Sequence, residues 1–347
     1  MADKPVNLQT IAKLANVSKV TVSNVINGKY DKASRETIER IQKIIEVTGY
    51  RPSATARSLS MKQSRIIGVV IPYLYADEPF SVRPYNAQMI GYLERYIRNQ
   101  GYYMMPRCVA QSMDALPDFA TWNVDGAFVL DLVGEDALRL HDRLNIPAVF
   151  IDTYTTSESL ATVCVDDRKG GYLAGKHLLD MGHRRIAFVS PTLTEHSGVM
   201  RERYLGFWDA LRERGMAFDP AQHIVTESVL YEQGVEAGRQ IAASGQGFTA
   251  VAAMADMLAL GVMEGLRAGG KQVPEDVSVM GFDDLPECHY AYPKLTSISQ
   301  HLEEKARCAG EYLFSMLQGE SAVSGNRRVD VALAERQSVR RLEATEG

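Results

Sequence analysis

Cysteine is scarce: Cys108, Cys164, Cys288 and Cys308 are the only four in 347 residues. No two stand at C-x-x-C or another metal-ligand spacing, so no metal centre is expected and the thiols read as isolated groups of a reducing compartment. Long apolar runs are missing, and none reaches the roughly 18 residues needed to span a bilayer. The N-terminus MADKPVNLQT lacks the apolar stretch of a secretory signal, so a cytoplasmic protein is expected. Signatures of catalysis are missing too. There is no G-x-S-x-G, P-loop, H-E-x-x-H or dinucleotide glycine fingerprint, and the seven histidines form no cluster. Neither an enzyme nor a cofactor is expected.

What is present is an ordinary globular composition, 46% hydrophobic and 23% charged, long enough for two or three domains with a sizeable core. The net charge of −5 is unevenly spread. Residues 1–62 carry eleven bases and five acids, which leaves +6 there and −11 on the remainder. A basic head on an acidic body places any phosphate contact on the head, the alternative being a solvated surface.

Three short helical patterns fill that head. The first covers about Leu8–Ala15, with Leu8, Ile11, Ala12, Leu14 and Ala15 at helical spacing. Asn16-Val17-Ser18 follows, where asparagine tolerates a left-handed turn and serine is a good N-cap. The second covers about Lys19–Ile26 and is stopped by Asn27-Gly28. The third opens at Ser34, carries Ile38, Ile41, Ile44 and Ile45 on one face, and ends at Gly49. Two short helices, a tight turn and a covering third helix make a helix-turn-helix bundle, whose second helix enters the major groove of DNA. Lys19, Val20 and Asn24 are placed to reach base edges: Lys donates to guanine, Val touches a thymine methyl and Asn pairs with adenine. Ser18, Thr21, Ser23 and Asn27 are placed to hold phosphates. Each polar residue taken singly is more often a solvated helix position; the array carries the reading.

The string VNLQTIAKLANVSKVTVSNVINGK, continued by ASRETIERIQKIIEVTGYRPSATARSLS, resembles the start of the lactose-repressor (LacI/GalR) family of transcription regulators. Helix, turn, helix and linker match in register, with Gln9-Thr10 and Asn16 as departures. The resemblance implies a hinge at residues 51–63 that folds on DNA, with Leu59 as a minor-groove wedge and Ala56 and Arg57 beside it. The alternative for Leu59 is a linker residue packed on the body. A paired hinge implies a homodimer and a pseudo-palindromic operator in double-stranded DNA.

Beyond the hinge, strands and helices alternate. Strands are predicted at Arg65–Pro72, Ala127–Leu130, Ala148–Ile151, Thr162–Val165, Arg185–Ser190, Ala250–Met254 and Val277–Phe282, with helices at about Asn86–Gln100 and Arg201–Arg214. Such alternation means parallel sheets with right-handed crossovers, and two runs mean two lobes. The fold expected is a small all-α helix-turn-helix head plus an α/β two-lobed, periplasmic-binding-protein-like body with parallel sheets. The domains expected are a head at 1–50, a linker at 51–63, one lobe at 64–163 and 293–325, and another at 164–292 and 326–342. The resemblance places the chain crossings between the lobes near Val163–Val165, Tyr292–Ser299 and Arg328–Leu333.

Ligands of open α/β sheets lie at the carboxyl ends of strands. Asp152 and Asp283 follow strands, and Arg203 opens a helix. The resemblance implies that Arg203 and Asp283 contact a small-molecule effector, a structural ion pair between the lobes being the alternative; Asp152 reads equally as a loop cap. Tyr85 and Asn86 match cleft-facing positions. Ala255 stands where the family pattern has a ligand-facing asparagine, and Val229 where an aromatic is common. The segment Tyr73–Pro84 is long and aromatic and offers replacement contacts. A repressor whose operator affinity is modulated by a sugar or sugar derivative is therefore expected, the alternatives being a transporter's solute-binding protein or an activator or co-repressor-dependent regulator of the same family.

Overall fold

The computed structural model describes residues 6–26, 28–50, 63–72, 83–132, 134–193, 198–217, 219–319 and 325–342. The chain divides into two units, Met1–Arg65 and Ile66–Gly347. The expected contacts Asn27, Ala56, Arg57 and Leu59 lie outside the described residues.

In the first unit, α1 (Leu8–Leu14) begins at Asn7, whose side chain accepts from the Thr10 amide at 3.0 Å. Helix α2 (Lys19–Ile26) begins after Ser18, whose hydroxyl accepts from the Thr21 amide at 3.1 Å. Helix α3 (Arg35–Thr48) is capped by Ser34 and stopped by Gly49 at φ +63°, a conformation glycine adopts without steric cost. Asn16 takes the left-handed turn conformation expected of it, at φ +53°. Ile11, Ala12, Ala15, Val22, Val25 and Ile41 form the small core. Ile26, at the end of α2, is half-buried against it.

The second unit holds two six-stranded sheets. The first contains β1 (Ile66–Pro72), β2 (Tyr103–Val109), β3 (Gly126–Leu130), β4 (Ala148–Ile151), β5 (Ala161–Val165) and β11 (Gly325–Val329) in the order β11-β5-β4-β3-β1-β2, all parallel. The second contains β6 (Ile186–Pro191), β7 (His223–Thr226), β8 (Ala250–Ala253), β9 (Ser278–Asp283), β10 (Thr296–Ser299) and β12 (Ala332–Ala334) in the order β12-β10-β9-β8-β6-β7. Only β12 runs antiparallel. The central strands are buried along their whole length, as sheets covered by helices on both faces require.

The chain passes between sheets after Val165, after Ser299 and after Val329. Two expected boundaries are thereby corrected. Residues 293–299 do not open the first lobe, because β10 pairs with β9 in register Thr296 to Met280. Residues 326–329 do not belong to the second, because β11 pairs with β5. Short strands at or next to a sheet edge are placed by hydrogen-bond register, and four or five residues carry too little periodicity to assign them to a sheet.

Helices of the second lobe cross at backbone contact. A Cβ on Gly171 of α7 (Asp167–Asp180) would fall 1.9 Å from the carbonyl oxygen of Arg203 on α8 (Gly198–Glu213). Between α9 (Tyr231–Ala243) and α10 (Asp256–Ala268), Gly234, Gly238, Gly261 and Gly265 approach so closely that a Cβ on any of them would lie within 2.4 Å of a facing carbonyl.

Candidate functional site

On α2 of the first unit, Ser18, Lys19 and Val20 are exposed and Thr21, Ser23 and Asn24 half-exposed, while Val22 and Val25 point into the core. Val20, an apolar residue, is 68% exposed with no packing role in this unit. A helix that keeps its first turn polar and open in this way presents side chains to a groove. The Ser18 hydroxyl caps the helix and also lies 2.9 Å from the Thr21 hydroxyl, so both are held at its positive end, where a phosphate is favoured.

In the second unit a cavity of about 110 Å³, open at its mouth, lies between the two sheets. All five body residues singled out from sequence, Tyr85, Asn86, Asp152, Arg203 and Asp283, line it. The strand-end argument explains why. Asp131, Asp152 and Asp283 each follow or end a strand of a parallel sheet and have positive φ, at +50°, +58° and +128°. Strained backbone of this kind is tolerated where the surroundings over-determine it.

Tyr85, Asp152, Arg203, Asp283 and Gln300 are tied into hydrogen-bonded networks. On the first lobe, Tyr85, in the first turn of α4 (Pro84–Asn99), donates to one Asp152 oxygen. Lys305, on α12 (Leu302–Leu317), donates to the other Asp152 oxygen at 2.6 Å, to the Tyr85 hydroxyl at 2.7 Å and to Gln300 Oε1 at 2.7 Å. Gln300 sits on the segment passing from β10 to α12, and its amide donates to Asp283 Oδ1 at 2.6 Å. On the second lobe, Arg203 Nε donates to Asp167 at 2.8 Å and Nη1 to the Met254 carbonyl at 2.6 Å, and Asp283 lies 3.6 Å away. The guanidinium stacks on Phe282, 3.7 Å from its centroid. Asp167 also accepts from the Tyr154 hydroxyl at 2.7 Å, which joins the β4–β5 loop of one lobe to the first turn of α7 in the other.

Burial pushes the Asp283 carboxyl up, to about 8, against the pull of Arg203. Burial also raises Asp167 and Tyr85, with Arg203 opposing it at Asp167 and the Asp152 charge reinforcing it at Tyr85. Below Asp283, Asp256 accepts from the Leu285 amide, the Ser297 hydroxyl and the Cys288 thiol, which fixes the loop after β9.

Some expectations change in kind. The pairing of Arg203 with Asp283 is real, but both lie on the second lobe, and the closer partner of Arg203 is Asp167. Asp152 lines the cavity and is also the counterion of a buried lysine. Val229 and Ala255 line the cavity, joined there by Met257 and Leu285, so one wall is aliphatic. Of the aromatic insertion only Arg83 and Pro84 fall among the described residues, and both line the cavity. Sequence reasoning missed Asp131, Asp167, Gln300 and Lys305. Asp131 follows the strand AFVL just as Asp152 follows AVFI, so the same rule finds it. Lys305 falls on the inward phase of a helix with Leu302, Ala306 and Ala309, and a lysine in that phase is the available signal.

Residues 7–53 match the family described as bacterial regulatory proteins, lacI family, and residues 176–339 match a periplasmic binding protein-like domain. The HTH-type transcriptional repressor PurR of Erwinia tasmaniensis is 32% identical, over 96% of each chain. The lac repressor dimer bound to operator and the anti-inducer ONPF superposes with a TM-score of 0.84 at 26% identity, over 97% of this chain and all of that one. A transcriptional regulator CelR–cellobiose complex gives 0.72 at 27% identity, over 96% and 99%. No helix among the described residues is long and apolar enough to cross a membrane. With head, body and full-length relatives all in agreement, the chain belongs to the lacI family of bacterial regulatory proteins.

Proposed function

We propose that this protein is an operator-binding transcriptional repressor, a homodimer that reads a pseudo-palindromic site with α2 and senses a sugar or sugar derivative in the cavity of its body. The observation that carries this reading is the pairing, in one chain, of an open polar helix face on a basic head with a cavity ringed by strand-end carboxylates and Arg203. Repressors and ligand complexes among the relatives support it. Lys19, Val20 and Asn24 read bases; Ser18, Thr21, Ser23 and Asn27 hold phosphates; Ala56, Arg57 and Leu59 act in the minor groove. Tyr85, Asn86, Asp152, Arg203 and Asp283 build the effector site. The functional division is a head at 1–50, a linker at 51–63, a first lobe at 64–165 with 300–329, and a second at 166–299 with 330–342. No turnover of the ligand is involved, and the protein acts in the cytoplasm at the nucleoid.

The effector alters operator affinity by no more than its own difference in affinity for the two states of the body. The test is selection of bound sequences from a random duplex pool, followed by titration of the selected site with and without ligand. A two-fold-related consensus bound at least a thousandfold better than random duplex supports the reading. Binding without sequence preference, or none, sinks it.

A further inference from the structure

Lys305 is buried completely, on a helix face otherwise lined by Leu302, Ala306 and Ala309. An ammonium has three donors and no acceptor. All three are used inside the protein, on Asp152, Tyr85 and Gln300. Arg203 is matched in the same way by Asp167 and the Met254 carbonyl. The two buried cations of the cavity are therefore already neutralised by protein carboxylates at hydrogen-bonding distance.

What remains open has the opposite character. The Asp131 side chain lines the cavity and makes no hydrogen bond or ion pair among the described residues. The same is true of the Asn86 amide and of the second Asp283 oxygen. The acidic and basic residues that line the cavity are Asp131, Asp152 and Asp283 with Arg83 and Arg203; Lys305 and Asp167 stand behind them as the partners of Asp152 and Arg203. An anionic ligand would have to compete with Asp152 or Asp167 for its cation and would lie beside Asp131. A donor-bearing ligand meets the Asp131 carboxylate, an acceptor that no described residue fills.

We propose that Lys305 and Asp131 set the ligand class: the cavity takes an uncharged or amine-bearing polyhydroxyl molecule and rejects its phosphorylated and carboxylated forms. This rests on the small-molecule reading above. Lys305 converts Asp152 from a ligand acceptor into a structural anchor, and Asp131 takes over as the acceptor of the first lobe. The aliphatic wall of Val229, Leu230 and Met257 covers the ligand's apolar face without a stacking aromatic.

The test uses the full-length protein in calorimetric titrations with matched sets: glucose, glucosamine, gluconate and glucose 6-phosphate; ribose and ribose 5-phosphate; adenosine and its 5′-monophosphate. In any set that binds, the neutral or amino member should bind at least tenfold more tightly than the anionic one. Asp131→Asn, isosteric and at an open position, should weaken the neutral or amino member by tenfold or more and narrow its lead over the anion. An anion that binds as tightly as its neutral parent overturns the proposal, as does an Asp131→Asn protein with unchanged selectivity or a panel in which no neutral or amino member binds. Operator binding by the same preparation separates the two ideas. Anion preference with operator binding intact defeats this proposal alone, whereas loss of specific DNA binding defeats the regulatory reading.

Discussion

Replacing Arg203 with methionine isolates the ion pair at the heart of the second lobe. Both partners are almost wholly buried, Arg203 at 5% and Asp167 at 0% side-chain exposure. Methionine fills most of the volume, so the cost comes from a carboxylate left in the interior with one remaining side-chain donor, the Tyr154 hydroxyl. Breaking a buried pair from one side costs about 3–5 kcal/mol. At roughly 2–4 °C per kcal/mol for a body of this size, melting should fall by about 10 °C. The pH dependence follows from burial. Without Arg203 the native Asp167 carboxyl rises further above its unfolded value, so the native state binds the extra proton, and the deficit is largest at neutral pH and shrinks toward pH 5. Arg203→Met combined with Asp167→Asn should recover at least about 2 kcal/mol, because neither charge is then stranded. Urea unfolding of the single and double variants at pH 7 and pH 5 measures all of this. A single variant that costs under about 1 kcal/mol, or a double variant whose losses simply add, would refute the buried-pair account.

Lys19→Ala should weaken the selected operator by about 1–3 kcal/mol while leaving affinity for random duplex nearly unchanged, since a base contact is lost and the remaining phosphate contacts persist; anisotropy titrations on both duplexes decide. Leu59→Ala should lower operator affinity markedly and leave ligand titrations of the body unaltered; equal operator affinity removes the wedge. His183 is buried between the Thr249 hydroxyl and the Arg340 carbonyl, and burial holds its imidazole down to about 4. Its contribution is complete above the unfolded value near 6.5 and is lost as pH falls toward 4, so wild-type stability should drop by about 2 kcal/mol between pH 7 and pH 5 on its account. His183→Asn should flatten that part of the profile, and an unchanged slope would contradict it.

The sequence made local things legible and left pairings hidden. Ser18, Ser34, Asn16 and Gly49 act on their neighbours within four residues, so caps and turns of the head could be read directly. Continuous apolar runs such as RIIGVVIP and AVFI revealed the central strands, because burial on both faces leaves no other composition. The short strands β10, β11 and β12 escaped assignment because their membership depends on pairing with other strands, at a separation that reaches 164 residues in the register of Arg328 against Cys164. In the cavity, strand-end position found Asp152 and Asp283. It said nothing of Lys305, whose role comes from a partner 153 positions distant in the chain.

The glycine crossing of α9 and α10 bears on how such a receptor acquires new ligands. Residues Val229 and Leu230 lead into α9, and Ala255 and Met257 flank the start of α10, so four side chains of the cavity wall hang from two helices locked backbone to backbone. The lock uses no side chain that faces the cavity. Ala255 belongs to the buried core and Val229 and Met257 pack against it, so exchanges there adjust the core locally, while the glycines beneath them cannot be changed at all. Selectivity can drift through successive substitutions on an unyielding frame, and a library varied at these four positions is the natural place to retune the sensor toward a chosen molecule.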